Sequence, residues 1–356
     1  MTEMVDWDVA VSTAAQLAGG GPRVGFAEAA DVVAELRRAT DEAEAHVFDF
    51  THLRAQIDHP PVRVVDRADW AEVNVAGFRT VLSPITAKLQ AHRGAQSRTG
   101  PVATAIGSRL TGVQVGGILA FLATKVLGQY EVFSGAPGQL LLVAPNVVAA
   151  ERALGADPHD FRLWVCLHEV THRTQFTAVP WLRDHFLAEV AAFIDAADPE
   201  AMKERLLSAL SQLARAIRER DSEISIIDLV QTPAQKEVLD RLTALMTLVE
   251  GHAEYVMNGV GPRVVPSVES IQAKFAARRR GTGPLDRALR RLLGIDVKMR
   301  QYAEGSRFVG SVVDAVGMDG FNKVWESPAS LPTMAEVADA PAWISRVHGG
   351  APAPAG

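Results

Sequence analysis

Residues 168–172 read His-Glu-Val-Thr-His. On a helix, positions i and i+4 lie one turn apart on the same face. Two imidazoles placed that way can reach one metal ion. A glutamate beside the first then points toward the ion's open side. There it can take a proton from the attacking water. The spacing therefore predicts metal-assisted hydrolysis, with His168 and His172 as ligands and Glu169 as the base. The chain holds ten histidines among 356 residues, so a chance match has odds of about 1–2% at ordinary residue usage. The flanks agree with a helix over roughly 160–177: Asp160 is a candidate N-cap, and Phe161, Trp164, Val165 and Leu167 are apolar.

Two histidines leave a zinc ion (Zn2+) one protein ligand short. The segment Met246 to Tyr255 is where an apolar helix abruptly carries Glu250, His252 and Glu254. A carboxylate on a buried face needs a partner, and a metal is one of the few that suffices. Glu250 and Glu254 share a helical face as i and i+4, so either could reach the ion.

Glu250-Gly-His-Ala-Glu-Tyr255 resembles the Glu-Gly-Phe-Ala-Glu-Tyr segment of gluzincin aminopeptidases. That resemblance implies Glu250 as the third zinc ligand and Glu254 as an outer or substrate-side residue. Glu250 follows His172 by more than the interval usual there, so a stretch near 183–235 would loop out. More widely, the chain resembles a bacterial family of zinc-dependent metalloproteases associated with deazaflavin-coenzyme biosynthesis. Lys125–Tyr130, Leu140–Asn146, Leu167–Trp181, Leu248–Met257, Lys298–Tyr302 and Val316–Asn322 carry that similarity, which spans nearly the whole chain. It implies a zincin-like fold and a metal site.

Such a site also needs a donor for the developing oxyanion. Tyr255, Tyr302, His252 and Arg300 are the candidates, and only three tyrosines compete for the role. Thr171, Gln175 and Trp181 could orient ligands or wall the pocket. Cys166 reads as a core thiol.

Positioning these groups requires a mostly helical frame. Helices are expected over Val5–Leu17, Phe26–Thr51, 69–94 with a kink or break at Pro84, 102–128, 146–154, 183–220, 233–258, 267–280 and 285–294. Gly259–Pro266 reads as a loop. Val62–Val65 is a short extended piece, and Gly138–Ala144 is the best strand candidate. At a sheet edge that strand could pair with a peptide substrate; inside a sheet it could not. The expected class is mainly α with a small β-sheet (α+β). A helical region at 1–135 packs against a catalytic metal-binding region at 136–345, followed by a disordered tail at 346–356.

Net charge is −6 with both signs interspersed, and Arg278-Arg279-Arg280 is a solvated helix end, so nucleic acid is not an expected partner. Val113–Leu127 is too short and too interrupted for a membrane span. One cysteine and no apolar leader point to a cytoplasmic protein. The expected activity is zinc-dependent hydrolysis of a peptide or small amide. The alternatives are a non-catalytic zinc-stabilised scaffold and a small-amide hydrolase in coenzyme metabolism.

Overall fold

The computed structural model describes residues 5–58, 60–94, 101–196, 233–280 and 295–349. They form a mostly helical chain around one three-stranded sheet. In chain order the elements up to the sheet are α1 (Trp7–Ala18), α2 (Phe26–Thr51), β1 (Arg63–Val65), α3 (Arg67–Gly94), α4 (Pro101–Ala123), β2 (Gly128–Glu131) and β3 (Gln139–Val143). Then follow α5 (Ala144–Leu154), α6 (Pro158–Ala178), α7 (Leu182–Asp195), α8 (Pro233–Val264), α9 (Val268–Arg280) and α10 (Ile295–Phe321). Two short 3-10 turns lead to α11 (Met334–Ala338) and α12 (Ala340–His348).

Strand β3 is the middle of the sheet, parallel to β1 and antiparallel to β2. Side chains alternate across a strand, and here the alternation divides two cores. Leu140 and Leu142 face a core with α2, α5, α6 and α8 residues; Leu141 and Val143 face one with α1, α3 and α4 residues. All four are at or below 1% exposure, which is why the segment reads as a continuous apolar run. A third core joins α8, α10 and α12 through Leu248, Phe308, Phe321 and Trp343.

Three local expectations change. First, β3 is internal, so it is not the edge a substrate could extend. The edges are β1 and β2, and the Gly-Gln-Tyr-Glu sequence of β2 lies in and beyond the stretch expected to be helical. Second, α3 runs through Pro84 without breaking. Proline cannot donate to the carbonyl four residues back, and the Ser83 hydroxyl donates to that Thr80 oxygen instead, at 3.1 Å. Third, α8 continues through Pro262 to Val264 where a loop was expected, with Val256 and Val260 still in the core. The expected helices over 285–294 and past residue 196 lie outside the described residues.

Candidate metal centre

Helix α6 positions the His-Glu-Val-Thr-His segment. Its N-cap is Asp157, whose side chain accepts from Asp160 N at 3.0 Å, and Pro158 occupies the first turn. Asp160, the expected cap, instead accepts from Ser267 N at the start of α9. Near the same end, Arg162 donates twice to Glu151, at 3.0 and 2.7 Å, and also to Glu35. Cys166 is fully buried, and burial pushes its thiol up to about 12, as befits an inert core residue. The Thr171 hydroxyl donates to Leu167 O within the helix, so it does not orient a ligand. Trp181 Nε1 donates to Trp325 O and so ties the start of α7 to the segment after α10.

Helix α8 brings the carboxylate. Its close approach to α10 is a crossing of two glycines: a Cβ on Gly251 would lie 2.2 Å from Gly305 C, and one on Gly305 would lie 2.1 Å from Thr247 O. Only glycine fits both positions. The crossing sits one residue from Glu250 and seats that turn of α8 against its neighbour.

The outcome is a convergent donor set. His168 Nε2 and His172 Nε2 are 3.2 Å apart, and Glu250 Oε2 lies 3.7 and 3.6 Å from them. The ligand atoms of these three residues all fall within 4.8 Å of one another, the one such cluster among the described residues. Glu254 is not in it. Nitrogen ligands at about 2.0–2.1 Å in a tetrahedral shell are about 3.3 Å apart, so the spacing suits a zinc-sized cation. The chemistry agrees. His172 Nδ1 lies 3.0 Å from Gln175 Oε1, which can only accept, leaving the Nε2 lone pair toward the cluster.

Glu169 is buried beside this set, at 7% exposure. Burial pushes its carboxyl up to about 7; the Glu250 charge adds to the rise and His172 opposes it. Desolvation lowers His172, but the Glu250 carboxylate outweighs it and holds the imidazole at about 9. Strand β2 starts against the base: a Cβ on Gly128 would lie 2.6 Å from Glu169 Cγ.

Of the candidate oxyanion donors, the structure describes the side chains of His252 and Tyr255. His252 is fully buried behind His172, with Nδ1 3.0 Å from Gln175 Nε2 and its ring stacked on Phe321. Burial drives its imidazole down to about 3, with the His172 charge assisting. The Tyr255 ring lies against Phe50 and Gly310, on α2 and α10. Tyr130 donates its phenol to Pro137 O at 2.6 Å. The side chains of Arg300 and Tyr302 lie outside the described residues. Sequence reasoning missed Gly128, and no signal in a lone glycine of that segment could have found it.

No described helix is long and apolar enough to cross a membrane. A comparison with curated proteins returned no match. Among solved structures, the chain is similar to a protein from Chloroflexus aurantiacus described as a candidate hydrolase with a novel fold. The two are 31% identical with a TM-score of 0.69, over 98% of this chain and 100% of that one. Neither comparison mentions a deazaflavin coenzyme. The family model for zincin-like metallopeptidases matches residues 5–344, so the chain belongs to that family.

Proposed function

We propose that the protein is a zinc-dependent hydrolase that cleaves peptide or related amide bonds. The observation that carries this reading is the convergence of His168, His172 and Glu250 beside the buried Glu169. His168, His172 and Glu250 would hold the ion. When bound, zinc supplies a Lewis acid that polarises the scissile carbonyl and makes water a nucleophile near neutral pH.

The remaining work falls to the chain. Glu169 takes the proton of the attacking water and passes it to the leaving amine. Its burial makes it more basic than a surface carboxylate, which suits proton transfer near neutrality. An extended substrate adds to the outer edge of β2, antiparallel or parallel, through main-chain hydrogen bonds. The closeness of Gly128 to Glu169 supports that docking, because a strand laid there brings its backbone to the base.

Metal content per chain, measured by elemental analysis, comes first. Near one zinc in the wild type and strong loss in His168→Ala and Glu250→Ala is the expected result. Glu169→Gln should then keep its zinc and lose about 10²–10⁴-fold in hydrolysis of a mixed peptide and amide library. Unchanged turnover in that variant would remove Glu169 as the base. A zinc-loaded wild type that hydrolyses nothing in the library would favour the scaffold reading.

A further inference from the structure

Gln175 is fully buried on α6, one turn beyond His172. Its amide makes three contacts. Nε2 donates to Val249 O at 2.8 Å and to His252 Nδ1 at 3.0 Å; Oε1 accepts from His172 Nδ1 at 3.0 Å. The orientation follows from chemistry. A flipped amide would set oxygen against the Val249 carbonyl, two acceptors face to face. With Oε1 toward His172, Nδ1 of that ring must carry the hydrogen. The lone pair is then on Nε2, the atom 3.2 Å from His168 Nε2 and 3.6 Å from Glu250 Oε2.

An amide nitrogen has two hydrogens, and burial makes an unused one costly. Val249 O takes one and His252 takes the other. A buried imidazole stacked on Phe321 at 5.3 Å and edge-on to Trp325 at 5.5 Å has little reason to be there as packing alone. Its Nδ1 can accept only if its own hydrogen sits on Nε2, which is buried without a hydrogen-bond partner, so the ring bears that cost to serve Gln175. The aromatic walls hold the ring in the plane that presents Nδ1 to Gln175.

We infer that His252 is a positioning residue: through Gln175 it locks the His172 tautomer that presents Nε2 to the metal. This rests on the metal-site reading above. It also couples the two helices, because the turn of α8 that brings Glu250 also brings the group that sets His172 on α6. A slip of α8 would disturb both at once.

The test is zinc affinity by chelator competition in wild type, His252→Phe, Gln175→Met, the double variant and His252→Asn. Phenylalanine keeps the stacking and removes the acceptor. Asparagine keeps an acceptor near the Nδ1 position. His252→Phe and Gln175→Met should each weaken zinc about 10–100-fold, as loss of an outer hydrogen bond to a metal ligand does. The double variant should be no worse than Gln175→Met alone, and His252→Asn should recover most of the loss. Full wild-type affinity in His252→Phe, or losses that simply add, would overturn the proposal, since independent packing effects are additive. Nitrogen NMR of His172 in zinc-free protein, recorded above pH 9 so that the imidazole is neutral, gives a readout that needs no metal. Its Nδ1–H tautomer should dominate in the wild type and give way to a mixture in His252→Phe. Failure of the wild type to bind zinc would sink the metal reading, and an unchanged tautomer would still sink this one.

Discussion

Within two turns of α6 lie two buried polar constellations that look alike by burial and differ in how their charges close. At Arg162, one guanidinium meets the carboxylates of Glu151 and Glu35, and its forked donors match their oxygens. Burial works against that charge, and the two carboxylates outweigh it. At His168, His172 and Glu250, two imidazole nitrogens and a carboxylate oxygen converge at 3.2 to 3.7 Å. Lone pairs held that close repel unless a proton or a cation lies between them. The first set is complete with protein groups; the second has the form of a receptor for a cation. Burial of charge alone does not mark a site, whereas the sign of what converges does.

The largest effect should come from removing a converging donor. Glu250→Ala should weaken zinc by more than the ~10–100-fold that an outer hydrogen bond is worth. Isothermal titration of the metal-free protein would show it, and wild-type affinity would break the contrast at once. The mirror experiment is Arg162→Leu, which strands the buried Glu151 and leaves the half-buried Glu35 with His159. A loss of about 3–5 kcal/mol in denaturant unfolding is expected, with zinc stoichiometry unchanged in whatever fraction stays folded. A variant that lost zinc without losing stability would exchange the roles of the two constellations.

Gly128→Val should have a smaller effect. The added side chain would displace Glu169 and slow hydrolysis about tenfold, a change of ~1.4 kcal/mol in the barrier, while zinc content stays at the wild-type level. Equal rates would show that the base tolerates the crowding. The smallest effect belongs to a compensated pair on the surface. Glu336 closes a capping box with Thr333 and accepts from Arg346. Partial burial raises its carboxyl, but Arg346 and the Thr333 backbone outweigh it and hold it below the ordinary value of 4.5. Its stabilisation is thus present above pH 4.5 and is lost as pH falls through the depressed folded value. Glu336→Ala should cost about 1 kcal/mol near neutrality and little at low pH, as unfolding curves at two pH values would reveal.

The helices with strong periodicity were legible, and α2 begins and ends where its pattern does, at Phe26 and Thr51. So was β3, because burial on both faces leaves an unbroken apolar run. Strand β2 was not, since its identity comes from pairing with β3 and from the base it lies against. The two histidines and Glu169 could be read from spacing within one helix. Glu250 could be proposed from its apolar context, but its distance to the histidines depends on a glycine crossing with α10 that no local pattern announces. The neighbourhood of His252 was legible, but the direction of its buried ring was not, because Gln175, Phe321 and Trp325 decide it.

That crossing also sets a timetable. Chains are made from the N-terminus onward, and Gly305 lies well beyond the segment that carries both histidines and the base. A nascent chain that has emerged only past α6 exposes Glu169 with no carboxylate opposite and no helix to seat one. The donor set closes only when α10 has been synthesised and packed. The convergence of His168, His172 and Glu250 thus depends on a helix made after all three of them.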